Sequence, residues 1–204
     1  STSGFSIIAN DGVTLNRDLT TNRATTINAD ADANDNTGSL TIANTRTLNT
    51  TNKTLSITAN NLALNSTGKI NSGTASTSII DSDNSGIGLG ATTASNGLNI
   101  TGAELQNITV TGLELRTGGN LTVDGISAAN SNNIGGATTL TANGIASTIT
   151  FATGASTFNK LSATATGNIT TSTNLTSDAG SLSLISTTGN LTLGGNITAS
   201  GSGD

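Results

Sequence analysis

The residues best able to do chemistry lie in two acidic turns. One runs Asp30-Ala31-Asp32-Ala33-Asn34-Asp35-Asn36-Thr37-Gly38, the other Asp81-Ser82-Asp83-Asn84-Ser85-Gly86. Asp81, Asp83 and Ser85 place oxygen atoms at alternate positions and Gly86 follows at a sharp turn, which is how a Ca²⁺ loop begins. They are the candidate metal ligands, and Ca²⁺ is the candidate ion. The complete loop needs Glu at its twelfth position; Thr92 stands there, and no helical pattern flanks the site. Asp30, Asp32, Asn34 and Asp35 form a similar oxygen-rich cluster. Asp and Asn also hold turns through their own side chains, without metal, and that reading competes at both places.

Other chemistry is thinly supplied. The chain has no His and no Cys, so the common nucleophile–base pairs cannot be assembled. A carboxylate pair acting on sugar would need aromatic support, and Trp and Tyr are absent. Glu104 and Glu114 are the glutamates; Glu114, between Leu113 and Leu115, is expected to point outward. An enzyme is not expected. Arg17, Arg23, Arg46, Lys53, Lys69, Arg116 and Lys160 are scattered singly under a net charge of -5, which disfavours nucleic acid as a partner. Asn-x-Thr glycosylation sequons occur at Asn49, Asn52, Asn65, Asn99, Asn107, Asn120, Asn168, Asn174, Asn190 and Asn196; in a chain so rich in Asn and Thr chance accounts for most of them, and glycosylation at some is the competing reading.

The elements that must carry these turns are read from a recurring phrase. Gly-Asn-Leu/Ile-Thr stands at residues 119–122, 167–170, 189–192 and 195–198. A simpler apolar-x-apolar beat recurs at Val13/Leu15, Leu40/Ile42, Leu55/Ile57, Leu62/Leu64, Ile87/Leu89, Leu98/Ile100, Ile108/Val110, Leu113/Leu115, Leu121/Val123, Ile149/Phe151, Leu182/Leu184 and Leu191/Leu193. Such a beat sends two side chains to one face of a strand and the middle one to the other. No stretch shows helical spacing; residues 102–107 could form one turn at most.

Composition admits two readings. Charged residues are 9%, against about 25% in ordinary domains. Small polar residues dominate, as in disordered chains. Absent proline, small net charge and the regular apolar spacing favour a β-solenoid instead, which needs only one or two inward Leu or Ile per strand. The fold class expected is all-β: a right-handed parallel β-helix, one solenoid over residues 1–204, with coils of about 20–24 residues stacked nearly ten high. Inward Leu and Ile would stack, and Asn would ladder at the corners. The pattern is dense over 87–126 and thins into Ala, Ser and Thr over 127–181. No apolar run reaches the roughly 20 residues a membrane helix needs. Both ends stop in mid-pattern, so the chain is expected to be an interior piece of a longer one.

The run Gly97-Leu98-Asn99-Ile100-Thr101-Gly102-Ala103-Glu104-Leu105-Gln106-Asn107-Ile108, with Gly112-Leu113-Glu114-Leu115 and residues 119–126 after it, resembles filamentous-haemagglutinin-type exoproteins. So does Thr26-Ile27-Asn28-Ala29-Asp30-Ala31-Asp32 leading into residues 38–42. The resemblance implies a secreted bacterial surface filament or adhesin built as a β-helix, exported by the two-partner route. Its partners would be neighbouring segments of the same fibre and a host-cell, surface or glycan receptor. The family's amino-terminal secretion signature contains an Asn-Pro pair, and proline is absent here, which suits an interior segment.

A different class is a β-helical binding module for carbohydrate or ice. Ice binding requires ranks of outward Thr. Thr109/Thr111, Thr139/Thr141 and Thr148/Thr150 have the local form, but no single coil length explains their separations. The inward–outward reading carries its own test: Leu113→Asp is expected to cost several kcal/mol and Glu114→Gln within about half a kcal/mol.

Overall fold

A computed structural model of the chain describes residues 4–33 and 35–201. Asn34 of the first acidic turn, and the terminal residues at which the pattern stops, lie outside the described residues. Strand makes up 48% of the structure and helix 5%. All strand pairings among the described residues are parallel. Parallel neighbours cannot be joined by a hairpin, so the chain must leave each sheet and come back.

The largest sheet has eight strands, in chain order: Phe5–Ile8, Thr25–Asn28, Leu55–Ala59, Ser76–Asp81, Gly112–Thr117, Ala137–Ala142, Lys160–Ala165 and Leu182–Ser186. One column of paired residues runs Phe5, Thr25, Leu55, Thr77, Leu113, Thr138, Leu161, Leu182. The returns to this column are unequal in length, the longest being those from Thr25 to Leu55 and from Thr77 to Leu113. Between returns the chain contributes short strands to the other sheets. Val13–Leu15, Ser39–Ile42 and Asn61–Leu64 form one three-stranded sheet, and Ser156–Phe158, Leu175–Ser177 and Ile197–Ala199 form another. Leu19–Thr20, Thr47–Asn49, Lys69–Asn71 and Ile108–Thr109 form a four-stranded sheet.

The other returns lie at or near the expected coil length; these two exceed it. The return from Thr25 to Leu55 contains the first acidic turn. The return from Thr77 to Leu113 lays down two strands in the six-stranded sheet, whose spatial order is Leu98–Ile100, Ile87–Gly90, Leu121–Asp124, Ile149–Phe151, Ile169–Thr171, Leu191–Leu193. The later strand, Leu98–Ile100, therefore lies outside the earlier one. Its far side meets the strand Asn61–Leu64, where Asn99 N donates to Asn61 Oδ1 at 2.9 Å. These excursions use up residues, so the main sheet has eight rows where nearly ten coils were expected. At a spacing of about 4.8 Å its first and last strands stand about 34 Å apart.

Each apolar-x-apolar beat lies on a strand; Val110 extends its strand through a bridge to Ile134. Strand Leu55–Ala59 alternates buried and half-buried residues along its length, as period-2 geometry requires. The thin region 127–181 is no less ordered. Many of its inward positions are filled by Ala142, Ala163, Ala165, Thr138 and Ser156, all buried, and the volume is supplied by Phe151 and Phe158 together with Leu140, Ile149, Leu161, Ile169 and Leu175. Phe151 lies between Val123 and Thr171, and Phe158 beside Ser177. Large rings beside small neighbours keep the layer filled.

The Gly-Asn-Leu/Ile-Thr phrase has a mechanical meaning. Asn190 N donates to Asn168 Oδ1 at 2.8 Å, and Asn196 N to Asn174 Oδ1 at 3.0 Å, one row apart. Asn168 and Asn174 thus take the N–H of their equivalents in the next row, and Asn120 takes that of Thr148. The preceding glycine has no room for a side chain: a Cβ on Gly189 would stand 2.5 Å from Asn168 Oδ1, and one on Gly195 2.1 Å from the Thr173 carbonyl oxygen.

Helix is confined to two short turns among the described residues, Gly102–Gln106 and Ala128–Ser131. The first falls within residues 102–107, the stretch that the sequence allowed one turn at most. Thr101 and Glu104 close a capping box on it, and Glu104 Oε1 also accepts from Leu64 N at 3.0 Å. No helix among them is long and apolar enough to cross a membrane.

Candidate metal centre

The two acidic turns follow equivalent places in the main sheet. Asp30 comes just after strand Thr25–Asn28, and residues 82–86 come just after Ser76–Asp81. The strand Leu55–Ala59 lies between them. Asp30, Asp35 and Asp83 bring one carboxylate oxygen each to within 4.8 Å of one another. Asp11, Asp32 and the same Asp35 form a second, exposed trio.

The supporting bonds are half local and half between distant parts of the chain. Asp30 is buried, with Gly38 in a left-handed conformation (φ +80°) directly against it; a Cβ there would fall 2.3 Å from Asp30 Cβ. Asp30 Oδ1 accepts from Ala33 N at 3.0 Å, and Oδ2 from the Ser82 hydroxyl. Asp35 Oδ1 accepts from Thr37 N at 3.0 Å and Thr37 Oγ1 at 2.8 Å. Asp83 Oδ2 accepts from Asn36 N at 2.7 Å and from Asn60 Nδ2 at 3.1 Å. Three carboxylates this close repel one another, and a hard cation such as Ca²⁺ or a proton relieves that repulsion.

The three residues singled out in the sequence, Asp81, Asp83 and Ser85, stand in different surroundings, with Asp83 near both Asp81 and the first acidic turn. Asp81 occupies an inward ladder position beside Ala59 and is 1% exposed. Its Oδ2 accepts from Gly86 N at 2.8 Å and from Thr117 Oγ1 at 2.6 Å; its buried Oδ1 has no hydrogen-bond partner among the described residues. Ser85 is exposed. Asp83 joins the other turn. The alternation that suggested a metal loop is here strand alternation: Asp81 is the last inward residue of its strand. Asp83 and Asp30 stand far apart in the chain, and they come together because both follow strands of the main sheet at equivalent places.

Burial raises the carboxyl pKa of Asp81 above its ordinary value; the hydrogen bonds from Thr117 and Gly86 oppose this, and nearby Asp83 adds to it. Asp30 is raised as well, first by burial, with Asp83 and Asp35 adding and Ser82 and Ala33 opposing. A raised acid binds its proton more tightly in the folded chain than in the unfolded one. Stability then falls as pH rises from about 3.8 through the raised folded values. Melting temperature is expected to rise as pH is lowered from 7 toward 4. Asp81→Asn, which removes the buried charge and keeps the shape, is expected to melt no lower than the parent at pH 7 and to show a smaller pH dependence. Melts at pH 7 and pH 4.5 on both proteins check this; equal slopes would exclude Asp81 as a source.

Glu114 is not solvated freely. Its Oε2 accepts from Ser78 Oγ at 2.8 Å. It lies in an outward column of Ser6, Thr26, Ser56, Ser78, Glu114, Thr139, Ser162 and Ser183, whose middle rows line an open groove of about 700 Å³. Thr139-x-Thr141 does not repeat in the adjacent rows, which hold Glu114-x-Arg116 and Ser162-x-Thr164. A Thr column exists elsewhere: Thr122, Thr150, Thr170 and Thr192, one above the other on the six-stranded sheet.

No protein-family model, no curated protein and no solved structure matches the chain.

Proposed function

We propose that this chain is a right-handed parallel β-helix serving as a shaft segment of a secreted bacterial surface filament or adhesin, of the filamentous-haemagglutinin type. The observation that carries the reading is the eight-strand parallel ladder to which the chain keeps returning. Its inward column is apolar or small and its outward column is mostly hydroxylated. Such an element is built by stacking each row on its neighbours and extends along one axis. Its work is to hold other parts of a fibre at a distance, and its partners are neighbouring segments of that fibre and a receptor on a cell or surface. Small-angle scattering should give an elongated profile with its long axis along the main ladder; a spherical profile would defeat the shaft reading. Sequencing the flanking region of the gene tests the class. An amino-terminal secretion domain or an adjacent outer-membrane transporter is expected, and a flanking cytosolic enzyme domain would overturn it.

A binding module for carbohydrate or ice is the second reading. The Thr122–Thr150–Thr170–Thr192 column favours ice, and the hydroxyl-lined groove around Glu114 favours a polyhydroxylated ligand. Thermal hysteresis or a strong glycan-array signal from the isolated chain would place it ahead of the shaft.

A further inference from the structure

We infer that the groove on the main sheet is a binding site for an amine-bearing saccharide, laid along the ladder with an ammonium group on Glu114; the inference rests on the binding-module reading. The groove holds about 700 Å³, a volume typical of ligand sites. Its floor is the outward column Thr26, Ser56, Ser78, Glu114 and Thr139, one residue from each of five successive rows. At about 4.8 Å per row that floor is about 19 Å long, which suits a short oligosaccharide better than a single sugar. These rows lie inside the ladder, with further strands stacked on both sides of them.

The lining selects the ligand. Each Ser or Thr hydroxyl both donates and accepts, so a run of them suits a partner whose own groups do the same, as sugar hydroxyls do. Ring stacking cannot hold the sugar, because Trp and Tyr are absent from the chain and none of its three Phe lines the groove. Affinity must come from charge instead. Glu114 is the one charged residue lining the groove among the described residues. It is half-buried, and its Oε2 accepts from Ser78 Oγ at 2.8 Å. Its Oε1 has no hydrogen bond, and no Lys or Arg pairs with it, among the described residues. A hydrogen bond between an ionised donor and a carboxylate is roughly twice as strong as a neutral one, so an ammonium group is what this position favours most. An acidic saccharide would set like charge against Glu114. A lysine-rich peptide would satisfy Glu114 but leave most of the hydroxyls facing methylene groups.

Gly112 offers a second handle. It lines the groove two positions before Glu114 on the same strand, and a Cβ there would meet nothing nearer than 3.9 Å. A side chain at this position enters the groove without displacing the fold.

The test is titration calorimetry with a β-linked glucosamine hexamer in mildly acidic buffer, where its amines are protonated. A glucose hexamer and a lysine hexapeptide serve as comparisons. The glucosamine hexamer is expected to bind at least about tenfold more tightly than the glucose hexamer, the difference one charge-assisted bond supplies. Glu114→Gln should remove that preference, and Gly112→Ile should remove binding of both hexamers. Asp178→Asn, which takes the same charge from an exposed position outside the groove, should leave both unchanged. Thermal melts check that each variant keeps the ladder; if Gly112→Ile does not fold, the contrast between Glu114→Gln and Asp178→Asn still decides. A glucose hexamer bound as tightly as the glucosamine hexamer overturns the inference and leaves the carbohydrate reading standing. Equal losses in Glu114→Gln and Asp178→Asn overturn it as attraction to net charge alone, and unchanged binding in folded Gly112→Ile overturns it by placing the sugar elsewhere. Tighter binding of the lysine hexapeptide gives the groove to a peptide. No binding of either hexamer overturns the inference and the carbohydrate reading together.

Discussion

Leu115→Asp is expected to destabilise the chain by more than about 4 kcal/mol, the range of a buried unpaired charge. Leu115 is fully buried in the ladder between Ile79 and Leu140, and neither neighbour offers a donor. Leu113→Asp should also cost several kcal/mol, but less than Leu115→Asp, because Leu113 lies between Thr77 and Thr138, whose hydroxyls can turn toward a carboxylate. Asp81 shows that such a place exists: it faces inward and is held by Thr117. Glu114→Gln, between these two leucines in sequence, keeps an acceptor for the Ser78 hydroxyl and should change stability by no more than about half a kcal/mol. Denaturant titrations rank the three substitutions. Leu115→Asp as mild as Glu114→Gln would mean that the strand faces are assigned the wrong way round.

Phe151→Ala should cost about 3–5 kcal/mol, the range for emptying a buried aromatic site. Two features push it to the upper half. Phe151 is fully buried, and its ladder neighbour Thr171 is small and already carries a buried hydroxyl without a hydrogen-bond partner among the described residues. Neither Val123 nor Thr171, the ladder neighbours of the ring, is large enough to collapse into the space. Phe151→Leu, which retains most of the volume, should recover more than half of the loss. A thermal melt of Phe151→Ala within a degree or two of the parent would contradict the layer packing described above.

The sequence made the strands, their parallel stacking and the usual length of a return legible, and left the exceptions hidden. Beats such as Leu55/Ile57 and Leu121/Val123 carry two apolar residues on one face, and they appear as strands. Rows such as Ala137–Ala142 and Lys160–Ala165 place Thr138, Ala142, Ala163 and Ala165 inward. These residues are too small and too mildly apolar to mark a face, so the stretch read as a thinning of the pattern. The two long returns, Thr25 to Leu55 and Thr77 to Leu113, were not legible either, because a loop excursion costs only a slowly rising closure entropy and leaves no periodic trace. That loss carried over to the acidic turns. Asp81-x-Asp83 looked like a local pair, whereas alternation sends Asp81 into the core and Asp83 across to Asp30 and Asp35. The short helix at Gly102–Gln106 could be anticipated because Thr101 and Glu104 stand three apart. The one at Ala128–Ser131 could not, since its capping pair is Ser127 and Asn130, which this composition scatters everywhere.

The reversed order of Leu98–Ile100 and Ile87–Gly90 in the six-stranded sheet bears on how the chain assembles in time. If rows were added one after another, Ile87–Gly90 would reach the free edge of Asn61–Leu64 first and settle there. The native arrangement reserves that edge for a strand that comes later in the chain. A chain growing or refolding from its amino end must therefore wait, or place the wrong strand and withdraw it. Simple zippering halts at this point, and the stretch from about residue 61 to residue 124 has to become ordered as one cooperative block. Hydrogen exchange should show this as a shared opening free energy for the amides of Leu64, Leu89 and Ile100. Amides in rows on either side should open in smaller, separable steps.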